Sequence, residues 1–434
     1  MNRLIQPGPR FGTMHVLSSK SAGIRLLIAA ALTSSETVLE MEGLSDDILS
    51  AVRCLEALGA EIHTEVPGQV LISGTGLLFG CSGKAGCGPR MDGNELPPVL
   101  PCGESASTLR FLLPITAALG VRAVFIREGR LPERPIAPLD EVLTLHGAEL
   151  VSEGKKLMIS GQLRPGDYRI PGDISSQYVT GLLFALPLLS GDSTLEVTGA
   201  VESESYIRIT EQTLVCAGIE FEKTGRRYRI PGGQQYRIPD YVQTEKDWSG
   251  AAFPLTLGAF SETGIRVPGL DPESRHGDRK ILEYLSRMGA AVHISMEGII
   301  VRRAEMLSGI DIDASDVPDL VPALAVAAAA AKGETRIFHA GRLRLKESDR
   351  IHSVVRMLSA LGADVRGTED GMLIRGKREL DGGTVDPEND HRIAMAAAIA
   401  AAVCRHPVQI QHAECVRKSF PGFFDAFSQL EVEV

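Results

Sequence analysis

The sequence predicts an α/β protein built from one supersecondary unit repeated six times. Two observations carry this. A polar cluster followed by an Ala/Leu-rich apolar run recurs along the chain. The clusters are Ser18-Ser19-Lys20-Ser21, Ser105-Ala106-Ser107-Thr108, Ser175-Ser176-Gln177, Asp247-Trp248-Ser249, Asp316-Val317-Pro318-Asp319 and Asn389-Asp390. From Ser105 onward they return roughly every 71 residues. A second feature keeps the same beat: a helix ending in Gly, then a short strand, a turn and another strand. Its glycines are Gly59, Gly147, Gly218, Gly289 and Gly362, and the sixth copy, 423–434, is worn. A period this long marks a repeated unit. Each unit holds one wholly apolar helix, one amphipathic helix and several short strands. A helix apolar on every side must be covered on every side. Three units are therefore expected to pack together with those helices inside, giving two three-unit halves.

Taken in order, residues 1–17 read as one strand plus a turn at Pro7-Gly8-Pro9. Ser and Thr before an apolar run are N-cap residues, so the first helix is expected to begin near Ser19 to Ser21. Its N-terminus offers unpaired N–H groups and partial positive charge, to which Lys20 and Arg25 add full charges; the combination suits phosphate or carboxylate. The long interval between the first two repeats is placed near 79–103, a Gly- and Pro-rich surface loop. Residues 121–126 read as a strand. The segment 127–135 reads as a loop with three arginines, Arg127, Arg130 and Arg134, stiffened by Pro132 and Pro135, and suited to bidentate phosphate binding.

Ser175-Ser176 offers more hydroxyls than one cap requires. Ser203-Glu204-Ser205-Tyr206 precedes the amphipathic helix of that unit, and the fourth unit begins around 244–247. Asp319 follows Pro318 at the first turn of its helix, where it serves as a cap or, in a closed cleft, as a general base. The stretch 342–350 packs six charges into nine residues, and Lys346 and Arg350 share a face if it is helical. Asp390-His391-Arg392 opens the last apolar helix, and Arg417-Lys418 precede the last helix.

Composition sets the bounds. The chain has 434 residues, 44 % apolar and 23 % charged, ordinary for a globular protein with two large domains. A formal net charge of −10 argues against general nucleic-acid binding. It leaves room for a small basic pocket filled by an anion. Cysteines at 54, 81, 87, 102, 216, 404 and 415 form no CxxC pair and their number is odd, so reduced thiols, a cytoplasmic setting and no metal site are expected. Met1 to Pro7 lacks a signal h-region, and 323–331 is too short to span a membrane.

With these residues laid out, the chain resembles the 3-phosphoshikimate 1-carboxyvinyltransferases, the EPSP synthase family, over nearly its whole length. The resemblance rests on Ser19-Lys20-Ser21 with Arg25, on 102–110, on Gly129 to Pro135, on Ser175-Ser176-Gln177, on Leu345 to Arg350, on Asp390-His391-Arg392 and on Lys418 to Pro421. It implies two domains, each of three βαβαββ repeats around buried helices, an inside-out α/β barrel. By the resemblance, one domain comprises 1–19 and 246–434 and carries Asp319, Glu347, Arg350, Arg392 and Lys418. The other, 20–245, is inserted and carries the shikimate-phosphate side and Arg130. The implied reaction moves the enolpyruvyl group of phosphoenolpyruvate to the 5-hydroxyl of shikimate 3-phosphate by addition and elimination, releasing phosphate without a cofactor.

The resemblance assigns shikimate 3-phosphate to Lys20, Ser21, Arg25, Ser175, Ser176, Gln177, Ser203, Asp319 and Lys346. It assigns phosphoenolpyruvate to Lys20, Ala106, Arg130, Gln177, Arg350, Arg392 and Lys418. Asp319 is the implied base at the 5-hydroxyl, and Glu347, Lys418 and Lys20 complete the catalytic set. Three positions depart from the family pattern. Ile24 replaces an Asn common before that Arg. Arg342, a further shikimate-side position, stands where many members have Asn. Ala106 lies where glyphosate-sensitive members have Gly, so its methyl implies weak glyphosate inhibition. A monomer with no membrane or nucleic-acid partner is expected. The nearest rival is a UDP-N-acetylglucosamine 1-carboxyvinyltransferase, whose members usually carry a Cys in the loop matching 129–135; this chain has none there. A non-catalytic anion-binding protein and a cyclase acting on RNA ends are the other readings weighed.

Overall fold

A computed structural model describes residues 1–74, 96–304 and 306–433. Most of the expected loop at 79–103 therefore lies outside the described residues, and its end, Val99–Gly103, is a strand. Contacts divide the chain into two compact units, Met1–Ser19 with Glu245–Val434, and Lys20–Thr244. Glu245 thus falls in the discontinuous unit and not in the inserted one. Its carbonyl accepts from Ser19 N–H at 2.7 Å, which ties it to the N-terminal segment.

Among the described residues there are twelve α-helices: α1 Lys20–Ala31, α2 Asp46–Ala57, α3 Ala106–Ala118, α4 Leu139–Leu145, α5 Ser176–Ala185, α6 Glu204–Cys216, α7 Trp248–Gly258, α8 Ile281–Met288, α9 Val321–Ala329, α10 Arg350–Ala360, α11 His391–Ala400 and α12 Phe423–Ser428. Odd numbers are the apolar helices and even numbers the amphipathic ones. Every residue of α7, α9 and α11 is buried. These three pack on one another at the centre of the discontinuous unit. Burial on all sides is what their composition demands, since no face carries enough polar surface to meet water. Two apolar helices are shorter than their runs. Pro187 ends α5, which passes into a 3-10 turn, Leu186–Leu188, and α11 likewise tightens into Ala401–Val403.

One repeat shows the build of the rest. Strand Asp167–Pro171 leads through α5 to Ser193–Thr198, which pairs with it in parallel. Then α6 leads to the hairpin Glu222–Thr224 and Arg227–Ile230, whose second strand pairs antiparallel with Ser193–Thr198. Among the described residues there are six sheets, four of four strands, one of three and one of five. In the inserted unit, Tyr241–Gln243 pairs in parallel with Glu36–Glu40, so the repeat around α1 receives its first strand from the far end of the segment.

Residues 1–17 hold two strands, not one. Arg3–Ile5 pairs antiparallel with Val408–Ile410, and Arg10–Thr13 pairs in parallel with Ile265–Val267. Their partners lie hundreds of residues away, where local pattern carries no signal. The amphipathic helices end as their glycines require: Gly59, Gly147, Gly218, Gly289 and Gly362 all adopt positive φ. Gly181 serves packing instead. A Cβ there would stand 2.3 Å from the Arg110 carbonyl, so its absence lets α5 close on α3. No helix among the described residues is long and apolar enough to cross a membrane.

Candidate active site

In the inserted unit the polar groups gather at the N-termini of the apolar helices. Lys20 opens α1, and its ammonium lies 3.1 Å from Asp47 near the start of α2. Asp47 is buried, so it holds Lys20 in place while partly neutralising it. Arg25, one turn on, is buried over the Phe111 ring. Its guanidinium donates to Thr210 Oγ1 at 2.8 Å, to the Ser21 carbonyl at 2.6 Å, to Thr180 Oγ1 at 3.3 Å and to the Tyr206 carbonyl at 3.1 Å. Burial lowers its pKa to about 9, against a pull upward from Tyr206. Arg25 therefore braces the first turn of α1 against α5 and α6.

Ser105 caps α3 by accepting from Thr108 N–H at 3.4 Å, and Ala106, the first helical residue, is buried. Ser175 caps α5, accepting from Gln177 N–H at 3.3 Å, which leaves its own O–H as a donor. Gln177 is oriented by Arg110, which donates to its Oε1 at 2.8 Å and also to the Pro135 carbonyl at 2.8 Å. Ser203, at the start of α6, is buried in a left-handed conformation and makes no side-chain cap bond.

The three arginines of 127–135 have different fates. Arg127 ends a strand and is buried, with its guanidinium donating to Ser152 Oγ at 2.7 Å and to the Gly154 carbonyl at 2.8 Å. It closes a hairpin and is no loop ligand. Arg134 is buried as well. Arg130 alone of the three is largely exposed, at 45 %, beside Glu133 at 3.7 Å.

In the discontinuous unit the charges close into one cluster around Asp319. This residue lies in the turn before α9, whose N-cap is Leu320, and so outside the helix where the sequence suggested it. Its Oδ1 accepts from Arg350 at 2.8 Å and lies 3.5 Å from Lys346 Nζ. Its Oδ2 accepts from Arg392 at 2.9 Å. Burial opposes ionisation of Asp319, but Arg392, Lys346 and Arg350 outweigh it and hold the carboxyl well below the usual range, with Glu347 pulling the other way. Burial lowers the pKa of Lys346 to about 8, with Arg350 and Arg342 adding to the fall and Asp319 and Glu347 resisting it.

Lys346 and Arg350 do not share a helical face. Gly341–Leu345 is a 3-10 turn and α10 begins only at Arg350, so Lys346 sits in extended backbone. The two converge because both point at Asp319. Arg350 is fully buried and also donates to Glu347 at 2.5 Å and to Asp390 at 2.9 Å. Burial alone would depress its pKa, yet Asp390, Glu347 and Asp319 raise it.

Asp390 organises the other side. It caps α11 by accepting from Arg392 N–H at 3.0 Å, and it accepts from Ser348 Oγ at 3.1 Å. Arg342 donates to the Ser315 carbonyl at 2.9 Å, four residues before Asp319. Lys418 ends a 3-10 turn, Ala413–Lys418, and is buried.

Sequence reasoning named the cations, and Asp390 and Arg110 as motif positions without their bonding roles, but it missed Asp47, Thr180 and Thr210 as partners. The available signal was charge balance. Buried cations at helix N-termini need buried carboxylates as partners.

Within the discontinuous unit, one ionised carboxylate ringed by three cations, with Glu347 and Asp390 also on the Arg350 guanidinium, makes a set able to bind anions and move protons. The chain matches the family model for EPSP synthase (3-phosphoshikimate 1-carboxyvinyltransferase) over residues 6–427. It belongs to the EPSP synthase family. A 3-phosphoshikimate 1-carboxyvinyltransferase of Clostridium kluyveri is 40 % identical over 99 % of this chain and 97 % of that protein. One of Brachyspira hyodysenteriae is 36 % identical over the whole of both. The solved EPSP synthase of Acinetobacter baumannii superposes with a TM-score of 0.76 at 26 % identity, covering both chains completely.

Proposed function

We propose that this chain transfers the enolpyruvyl group of phosphoenolpyruvate to the 5-hydroxyl of shikimate 3-phosphate, releasing phosphate. The Asp319 cluster carries the reading: Arg350, Arg392 and Lys346 all converge on one carboxylate, within a member of this family. Both substrates are polyanions, and such a cluster is a ready receptor for them.

The same geometry supplies a logic for the base. Unliganded, Asp319 is a weak base because three cations stabilise its charge. Anionic substrates compete for those cations. As phosphoenolpyruvate takes Arg350 and Arg392 and the shikimate phosphate takes Lys346, the carboxylate regains basicity as its substrate arrives. Asp319 then accepts the proton of the 5-hydroxyl as that oxygen adds to C2 of phosphoenolpyruvate. C3 gains a proton, giving a tetrahedral intermediate. Loss of phosphate from C2 and of a proton from C3 restores the double bond. Glu347 and Lys418 serve the C3 proton and the leaving phosphate. Lys20, Arg130, Gln177 and Lys418 add contacts to phosphoenolpyruvate. Lys20, Ser21, Arg25, Ser175, Ser176, Gln177 and Ser203 serve shikimate 3-phosphate, with Arg25 acting mainly through Ser21.

The test is phosphate release from phosphoenolpyruvate with shikimate 3-phosphate or UDP-N-acetylglucosamine as acceptor. Release with the first alone is expected. Release with the nucleotide sugar would move the chain to the rival transferase, and release with neither would leave a binding protein.

A further inference from the structure

Lys346 and Glu347 lie in a segment with little backbone support. The Lys346 N–H reaches the Leu343 carbonyl at a long 3.4 Å, and regular helix resumes only at Arg350. Nevertheless both side chains must hold position against Asp319 and Arg350. Arg344 spans this segment from outside. Its Nε donates to the Glu369 carbonyl at 3.1 Å, one terminal nitrogen to the Thr368 carbonyl at 2.7 Å and the other to Asp349 Oδ2 at 2.8 Å. Thr368 and Glu369 form the tip of the hairpin between strands Asp364–Gly367 and Met372–Arg375, which Thr368 N–H closes onto Gly371 at 2.9 Å. Asp349 in turn is the N-cap of α10, its other oxygen accepting from His352 N–H at 3.1 Å. A single guanidinium thus joins the 3-10 turn before the segment, the cap after it and a hairpin beside it. An ammonium could not reproduce this, because the three acceptors are each met by a different nitrogen of the guanidinium fork.

We propose that Arg344 is a positioning residue for this reaction, clamping residues 345–349 so that Lys346 and Glu347 face their partners. The inference rests on the functional reading above. Arg344 is 38 % exposed and Asp349 36 %, so the clamp adds little to global stability and its effect falls on the segment it spans.

Steady-state kinetics with shikimate 3-phosphate and phosphoenolpyruvate test it. For Arg344→Met, kcat/KM is expected to fall roughly 10- to 100-fold, the scale of a misplaced reacting group, with the thermal midpoint nearly unchanged. Arg344→Lys should recover little. Asp349→Asn keeps a good cap but breaks the ion pair, so it should show a similar loss, and the double variant should be no worse than Arg344→Met. Free guanidinium should partly restore Arg344→Ala, which a merely destabilised protein would not show. Wild-type kcat and KM in Arg344→Met, or losses in the two single variants that simply multiply, would overturn the clamp. If Arg344→Met fails to fold, Asp349→Asn alone decides by the same kinetic criterion. Inactive wild type would defeat the functional reading, whereas active wild type with a fully active Arg344→Met defeats only this inference.

Discussion

The Asp319 carboxylate and the Arg392 guanidinium meet at 2.9 Å, and Arg392 reaches that position because Asp390 caps its helix. The two come from different repeats of the same unit. Asp319 precedes the apolar helix α9, Arg392 opens the apolar helix α11 and Arg350 opens the amphipathic α10, and the cluster forms where these N-termini meet.

Asp390 is the first residue to probe. It is fully buried and takes hydrogen bonds from Arg350, Ser348 and the Arg392 backbone. Asp390→Ala leaves Arg350 short of a partner and α11 uncapped. A loss of about 3 kcal/mol is expected in urea unfolding, since breaking a buried ion pair strands a charge.

Lys346 sets a pH limit. With its pKa lowered to about 8, its ammonium is lost across the mildly alkaline range. The kcat/KM for shikimate 3-phosphate is expected to fall above about pH 8, and Lys346→Arg should remove that limb because a guanidinium stays charged. For folding the sign runs oppositely. A depressed Lys pKa means the unfolded chain holds the proton longer, so this group's penalty, full below pH 8, is relieved as pH rises toward its ordinary value. The depressed Asp319 contributes stability above the ordinary carboxylate range and loses it as pH falls through its lower folded value. No acid limb between about pH 5 and 7 should therefore trace to Asp319 in the free enzyme.

Ala106 opens α3 and is buried, and the resemblance puts its methyl on the phosphoenolpyruvate side. Glyphosate is longer than phosphoenolpyruvate and should meet that methyl. Weak inhibition is expected in the wild type, with at least about tenfold tighter inhibition in Ala106→Gly, the worth of relieving one methyl-sized overlap. Micromolar inhibition of the wild type would contradict this.

Gly181 tests the helix packing. Gly181→Ala puts a methyl against the Arg110 carbonyl, and α5 must move away from α3. A loss of about 2 kcal/mol is expected, measured by thermal or urea unfolding. Unchanged stability would show that the two helices give way easily.

The repeat was legible because its markers are local. Apolar runs, serine and aspartate caps and terminal glycines such as Gly289 and Gly362 act within a few residues of where they stand. Lys20 and Arg392 were legible for the same reason, as charges at helix starts. Pairings over long sequence distances were not. Arg3–Ile5 pairs with Val408–Ile410, and Thr210 meets Arg25 from 185 residues away. The place of Lys346 was left open, because charge spacing would set it beside Arg350 only in a helix, whereas a 3-10 turn and extended backbone bring it to Asp319. Arg127 was misread because a charged residue beside Gly and Pro looks like loop, while its guanidinium turns inward to a hairpin.

The most direct test of the account is phosphate release by Asp319→Ala, with shikimate 3-phosphate and phosphoenolpyruvate both saturating. Loss of a general base is expected to lower turnover by about 10²- to 10⁴-fold. Anion binding should survive, because Arg350, Arg392 and Lys346 lose a competitor and not a partner they require. Turnover near the wild-type rate in a folded variant would contradict the assignment of Asp319 as the base.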